Sequence, residues 1–548
     1  MTQQDPLDRQ PLLSVRGLTV AIGGAQSPHT AVRDISFDVH ANEIVCIVGE
    51  SGSGKSVTSH AVMGLMPKGQ LTITAGQLLY RGQDLVGLDE ETHRKLRGRK
   101  LGMIFQEPMT ALNPIMRVGA QVEEVLELHT AMRSAERKAR VVELFQSVLL
   151  PNPAEIVRSY PFELSGGQRQ RVMIAMALAL EPDLLIADEP TTALDVTTQA
   201  QILRLIKDLQ QRLQIGVMFI THDFGVVADI ADRIVVMRKG DLIEQGEAAA
   251  VLHTPSHDYT RALLNAVPHL PQEKAERRFD VELLKVRDLE MTFGKKGGRS
   301  VKALQDISLT LYAGECLGVV GESGSGKSTL GRTIVGLNLP DGGSIKLGMH
   351  ELLGVSSLEN RPNRRDIGMV FQDPYASLNP RHRVGDAIAQ GPIAFGDDPE
   401  TARKEARELL KMVGLDGDAF DRYPHQFSGG QRQRIGIARA LALKPKVLVA
   451  DEAVSALDVS IQAQVLELLG SISRKLNLAI IFITHDLRVA AQICDRIAVM
   501  QKGKLVELGH ASDIFYRPQS PYTRELIESI PGRSWTKPVF EGLGVMSQ

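Results

Sequence analysis

Short apolar runs alternate along this chain with longer stretches of helical spacing. Ile44-Val45-Cys46-Ile47-Val48 has the length and β-branching of a buried strand. A glycine-rich segment and then a helical stretch follow it. Leu184-Leu185-Ile186-Ala187, Val217-Met218-Phe219-Ile220 and Ile234-Val235-Val236-Met237 read as further buried strands, with helical spacing from Gln199 to Leu213 between the first two. Arg238-Lys239-Gly240-Asp241 closes the last as a turn. Strands alternating with helices predict a mostly parallel α/β sheet with ligands at the strands' C-terminal ends.

The whole order occurs twice. Gly49-Glu50-Ser51-Gly52-Ser53-Gly54-Lys55-Ser56 returns as Gly321-Glu322-Ser323-Gly324-Ser325-Gly326-Lys327-Ser328, with Thr329 next. Leu164-Ser165-Gly166-Gly167-Gln168 returns as Phe427-Ser428-Gly429-Gly430-Gln431. Asp188-Glu189 returns as Asp451-Glu452, and Thr221-His222-Asp223 as Thr484-His485-Asp486 after the strand Ala479–Ile483. From the Ser-Gly-Gly-Gln motif onward the offset is constant: 428 − 165, 451 − 188 and 485 − 222 all give 263. The 548 residues thus divide into modules at 11–268 and 282–531, each long enough for its own core. Residues 269–281, with Pro271, suit a short polar linker. The tail, 532–548, has no counterpart in the first module, and residues 1–10 are polar and expected to fray.

Gly-x-x-x-x-Gly-Lys-Ser between a strand and a helix is a phosphate cradle. Its glycines let the backbone wrap an anion, and the helix that follows presents N–H groups to it. Lys55 and Lys327 would reach the β- and γ-phosphates, and Ser56 and Ser328 would place a hydroxyl on Mg²⁺. Asp188 and Asp451 end apolar strands and would hold that ion, while Glu189 and Glu452 would polarise the attacking water. His222 and His485 are expected at the γ-phosphate. Gln106 and Gln372, each in Phe-Gln-(Glu/Asp)-Pro, would reach the same water and metal. Any of these residues alone would read as an ordinary core or loop group; their pairing with the cradle, twice, points to a nucleoside triphosphate site. Ser165 and Ser428 precede Gln-Arg-Gln-Arg and an apolar helix, so each would sit at a helix N-terminus, a second anion site. One region cannot both cradle and cap the same phosphate. The cap must come from the other module, with two nucleotides sandwiched between modules.

Bulk properties narrow the partners. Lys and Arg number 63 against 65 Asp and Glu, a net charge of −2, which gives no reason to expect nucleic acid. The basic stretch His93-Arg94-Lys95-Leu96-Arg97-Gly98-Arg99-Lys100 reads as a solvated helix face and turn. Cys46 and Cys316 fall in apolar strands as core residues, Cys494 stands isolated, and the three form no disulfide framework or metal spacing. They fit a reducing cytoplasm. No apolar run reaches the roughly 18 to 20 residues that cross a bilayer. The N-terminal residues, with Asp5 and Asp8, lack a signal pattern. The chain is expected to be soluble, any membrane role resting on partner subunits.

Phosphate loop, Gln loop, Ser-Gly-Gly-Gln, Asp-Glu strand, Ala-Leu-Asp (Ala193-Leu194-Asp195 and Ala456-Leu457-Asp458) and His loop stand in one order, twice. In this, nearly the whole chain resembles the ATP-binding cassette (ABC) proteins. The resemblance implies two tandem P-loop NTPase domains of α/β class, each with a mostly parallel core sheet, an antiparallel β subdomain and a helical subdomain. It pairs Lys55 with Ser428, Gly430 and Gln431, and Lys327 with Ser165, Gly167 and Gln168, as an intramolecular domain dimer that hydrolyses ATP with Mg²⁺. Asp195 and Asp458 would communicate across the interface. Phe293 would stack on adenine, where the first module has Ile22; Met176 stands for Arg439, and Ala453 for Pro190.

Narrower features are similar to the dipeptide/oligopeptide group of bacterial ABC importers, which includes nickel and glutathione systems. These are Glu107-Pro108-Met109-Thr110-Ala111-Leu112-Asn113-Pro114, Asp373-Pro374-Tyr375-Ala376-Ser377-Leu378-Asn379-Pro380, and the endings Pro255-x₃-Tyr259-Thr260 and Pro518-x₃-Tyr522-Thr523 with Pro268 and Pro531 beyond. They imply an ATPase on the cytoplasmic face of the bacterial inner membrane. Two transmembrane permease subunits would dock on 107–163 and 373–426, and an extracytoplasmic solute-binding protein would deliver a peptide or peptide-like solute. A tandem ABC protein acting on ribosomes would need a long basic linker. A chromosome or repair ATPase would need a long insertion, for which the spacings 165 − 55 = 110 and 428 − 327 = 101 leave no room. Phe293→Ala should weaken nucleotide binding at its cradle more than Ile22→Ala does at the other, by up to the about 1–3 kcal/mol of base–aromatic stacking. Equilibrium binding to both variants checks this, and equal losses would undo the adenine assignment.

Overall fold

The computed structural model describes all residues except 1–9, 24–28, 193, 269–276, 295–299, 354–360, 374–376, 456, 539 and 541–548. Ala193, Ala456, Pro271, Pro374, Tyr375 and Ala376 therefore lie outside the described residues. The chain divides into two compact units. One holds residues up to Leu194, Thr198–Val267 and those from Pro531 onward; the other holds Asp195–Thr197 and Pro268–Ile530.

In the first unit the apolar runs become the middle of a six-stranded sheet. Its strands are β3 (Ile44–Val48), β6 (Leu101–Ile104), β7 (Leu184–Asp188), β8 (Gly216–Thr221), β9 (Arg233–Arg238) and β10 (Asp241–Glu247), in the order β10-β9-β3-β8-β7-β6. All neighbours are parallel except β9 and β10, which form a hairpin. Lys239 (φ 49°) and Gly240 (φ 91°) turn that hairpin in the left-handed conformation a two-residue turn requires. A second sheet, β2-β1-β4-β5, is antiparallel: β1 (Leu13–Ile22), β2 (Thr30–Val39), β4 (Leu71–Tyr80) and β5 (Gln83–Asp84). Leu13, Val15, Leu18 and Val20 of β1 pack in one cluster with Val45 and Ile47 of β3, so the two sheets share a core. The helices Val118–His129 and Ser134–Ser147 pack on Gly166–Ala177 as the helical part.

The second unit repeats this plan. Its antiparallel sheet is β12-β11-β14-β15, from β11 (Glu282–Phe293), β12 (Val301–Tyr312), β14 (Gly342–Leu347) and β15 (His350–Glu351). Its larger sheet is β16-β17-β18-β13-β19-β20, from β13 (Cys316–Val320), β16 (Ile367–Val370), β17 (Val447–Asp451), β18 (Ala479–Ile483), β19 (Arg496–Gln501) and β20 (Lys504–His510). The expected fold class holds in both units.

Three local readings change. The helix expected from Gln199 starts at Val196. The basic stretch is only partly solvated: His93 is buried against Gly64, and Arg97 turns inward to Met63 O and Gly64 O at 2.8 and 3.0 Å. Cys494, isolated in sequence, lies with its Sγ 3.8 Å from that of Cys316, because the strand start and the turn before β19 meet in space; both thiols are free and buried. The tail packs on the first unit: Lys537 Nζ donates to Asn265 O and Val267 O at 3.0 and 2.6 Å, and burial pushes its pKa down to about 7. Among the described residues, no helix is long and apolar enough to cross a membrane.

Candidate nucleotide and catalytic sites

Each phosphate loop leaves the strand where the sheet order switches, since β3 lies between β8 and β9 and β13 between β18 and β19. Gly54 (φ 99°) and Gly326 (φ 103°) cap the helices Lys55–Met63 and Lys327–Ile334. A Cβ there would lie 2.7 Å from Ala31 O or 2.4 Å from Ala303 O, so the loop closes onto the antiparallel sheet only with glycine. Lys55 Nζ donates to Gly49 O and Glu50 O, both at 2.8 Å, and Lys327 Nζ to Gly321 O and Glu322 O at 2.8 and 2.7 Å. Burial pushes the pKa of Lys327 down, and the carboxylates of Glu452 and Asp451 oppose that.

At the neighbouring strand end stand the paired acids. Ser56 Oγ donates to Asp188 Oδ1 at 3.0 Å, and Ser328 Oγ to Asp451 Oδ1 at 2.8 Å. Burial raises the pKa of both aspartates; the serine bonds counter it, and the adjacent glutamates reinforce it. Asp451 Oδ2 is buried without a hydrogen-bond partner, and Arg332 Nε is 3.9 Å away. A hydroxyl, a destabilised carboxylate and an orphaned oxygen fit a hard divalent cation that prefers oxygen ligands.

The glutamates point elsewhere. Glu189 and Glu452 take left-handed φ values of 46° and 47°, uncommon for residues with a Cβ. Their N–H groups donate to Ile220 O and Ile483 O at 3.0 Å, so the sheet holds the strain. Glu189 Oε2 accepts from Gln106 Nε2 at 3.0 Å and Thr192 Oγ1 at 2.9 Å, and its Oε1 lies 3.3 Å from His222 Nδ1. Glu452 Oε2 accepts from Gln372 Nε2 at 2.7 Å, with His485 Nδ1 3.6 Å from Oε1. Burial acts to raise the pKa of Glu189, but the bond and charge of His222 prevail and hold it down at about 2. His485 lowers Glu452 against burial in the same way. Each unit therefore gathers its own Lys, Ser, Asp, Glu, His and Gln.

The residues of the Ser-Gly-Gly-Gln motifs stand on a different element of each unit. Ser165 and Ser428 cap Gly166–Ala177 and Gly429–Leu441, accepting from Gln168 N and Gln431 N at 3.2 and 3.3 Å. Gln168 and Gln431 close the box on the serine N–H groups. Gly167 and Gly430 follow in the first turn, against Thr198 and Ile461. Ile22 and Phe293 end β1 and β11, 47% and 45% exposed. Sequence reading missed Thr192 on Glu189, Ser59 (Oγ 3.4 Å from Asp188 Oδ2) and Arg332. Helical spacing from Ser56 and Ser328 was the available signal for the last two. It also missed that Arg439 donates to Ser377 O, bracing the Gln372 loop; Met176 has no group to do this.

A profile described as "ABC transporter" matches residues 32–192 and 304–455, and one described as "Oligopeptide/dipeptide transporter, C-terminal region" matches 243–287 and 506–538. The chain belongs to the ABC transporter family, with two ATP-binding cassettes in tandem. It is 45% identical to "Glutathione import ATP-binding protein GsiA" of Salmonella paratyphi A, over 97% of this chain and 91% of that protein. The same figures hold for the protein of that name from Escherichia coli O6:H1. Of solved structures, "Dimeric structure of a post-hydrolysis state of the ATP-binding cassette MJ0796 bound to ADP and Pi" is 31% identical, covers 42% of this chain and 99% of its own, and has a TM-score of 0.39. Replacing Glu189 and Glu452 together by Gln should leave ATP binding intact and lower hydrolysis by about 10²–10⁴, the usual weight of a positioned base. Phosphate release measures it, and unchanged turnover would exclude these acids as the base.

Proposed function

We propose that the chain is the ATPase subunit of an importer for peptides or peptide-like solutes, glutathione among them, bound to the cytoplasmic face of the inner membrane through two permease subunits. An extracytoplasmic binding protein delivers the solute. The observation that carries the reading is the repeated pair of contacts beside both phosphate loops, serine to aspartate and glutamine to glutamate. The similarity to the oligopeptide/dipeptide C-terminal region and to glutathione-import proteins supports the solute class. Nothing in the similarities favours a ribosome-acting protein.

In this reading Lys55 and Lys327 exchange loop carbonyls for phosphate oxygens when ATP enters. Glu189 and Glu452, ionised at neutral pH, take the proton of the attacking water. Gln106, His222, Gln372 and His485 orient that carboxylate and the γ-phosphate. Ser56, Gln106 and Asp188, and Ser328, Gln372 and Asp451, would hold Mg²⁺, which neutralises phosphate charge when bound. Ser428 completes the first site and Ser165 the second, so ATP closes the cassettes and hydrolysis opens them. Ser165→Arg with Ser428→Arg, assembled with the permease subunits, should lose most ATPase activity; full activity would refute shared sites. Identifying the ligand on the co-purified binding protein tests the solute class, and a non-peptide ligand would overturn it.

A further inference from the structure

We propose that Tyr522 is a positioning residue that holds the first peptide plane of the second cassette's phosphate loop from behind. Through it the C-terminal region of that cassette sets how tightly its loop binds nucleotide. The inference rests on the nucleotide reading of the two loops.

The parallel ladder around β13 ends at Val319 and Val320, paired with Ile483 and Val499. The next peptide plane, Gly321 C=O with Glu322 N–H, leaves the sheet and needs partners of its own. Its carbonyl accepts from Lys327 Nζ at 2.8 Å, and its N–H donates to Tyr522 Oη at 3.2 Å. One rigid plane thus has the phosphate lysine at one edge and the tyrosine at the other. When the lysine turns to phosphate, the tyrosine still fixes the plane. Without it the plane can rotate, and the loop amides beyond it lose their aim. Gly321 backs closely onto β19, where a Cβ would lie 2.2 Å from Met500 O, so small rotations there are transmitted rather than absorbed.

Tyr522 is itself held. It lies in the helix Pro521–Glu528, and Glu507 on β20 accepts from Gln519 N and Ser520 N at 2.8 and 3.0 Å, fixing where that helix begins. The first cassette has the same scaffold but not the same bond: Tyr259 Oη is buried without a hydrogen-bond partner. Glu244 on β10 accepts from Ser256 N and Ser256 Oγ at 2.6 and 2.7 Å, ahead of the helix that carries Tyr259. Tyr259 is buried beside Glu50, and burial with the Glu50 charge pushes its hydroxyl pKa up. Arg238 lies 4.7 Å over its ring, where the second cassette has Gln501. Tyr522 touches the loop and no reacting atom, so its effect is on binding.

The test uses the full chain with Lys55→Ala, which leaves only the second loop intact. Adding Tyr522→Phe keeps the ring and removes the acceptor. The ATP Kd should rise about five-fold, the weight of one neutral hydrogen bond. In the chain with Lys55 retained, the ATP KM should rise while kcat at saturation and the melting temperature hold. A purely structural role would lower the melting temperature and leave Kd unchanged, and an unchanged Kd overturns the proposal. A Lys55→Ala, Lys327→Ala chain separates the two readings. If it still binds ATP, the nucleotide assignment fails; if it does not and Tyr522→Phe has no effect, only the tyrosine role fails. Should Tyr522→Phe not fold, Glu507→Ala, which frees the start of the Tyr522 helix, is judged by the same Kd criterion in the Lys55→Ala chain.

Discussion

Two adjacent carboxylates at the end of a buried strand can both remain ionised only if each has its own partners. In both cassettes the chain solves this by a turn of the backbone. The aspartate stays in the strand direction and meets a serine in the first turn of the helix after the phosphate loop; the glutamate, in a left-handed conformation, swings to a histidine and a glutamine. The opposite pKa directions of the two acids are the electrostatic result. In the proposed mechanism one carboxylate would meet a cation and the other a proton. The switch in strand order brings the loop, the acids and the histidine strand to one edge of the sheet.

The cassettes share this core and differ around it. Arg439 ties the Gln loop of the second cassette to its signature helix, where Met176 offers only packing. Arg332 stands near Asp451, where the first cassette has His60 and adds Ser59 to the aspartate. Phe293 and Ile22 offer different surfaces at equivalent strand ends. None of these differences removes a group from either catalytic set.

Much of this was legible in the chain. The apolar runs of β3, β8 and β18 have the length of buried strands and are bounded by turn residues, and the glycine, lysine and serine spacing is that of a phosphate cradle. The same motifs recurred in the same order, so weak single residues such as His222 and Gln106 gained meaning from repetition. The fold class followed because strands alternating with helices have one common layered solution.

Other features depend on contacts between residues far apart in the chain. Cys494 meets Cys316, the tail reaches Asn265, Arg439 reaches Ser377, and Tyr522 reaches the loop 200 positions before it. Periodicity records only which face a residue presents, not which distant group comes to meet it. The types of chemistry at the sites were thus written in local order. The protonation of each acid, the strain at Glu189 and Glu452 and the bracing of the loops arise from burial and long-range hydrogen bonds, which exist only once the sheets have packed.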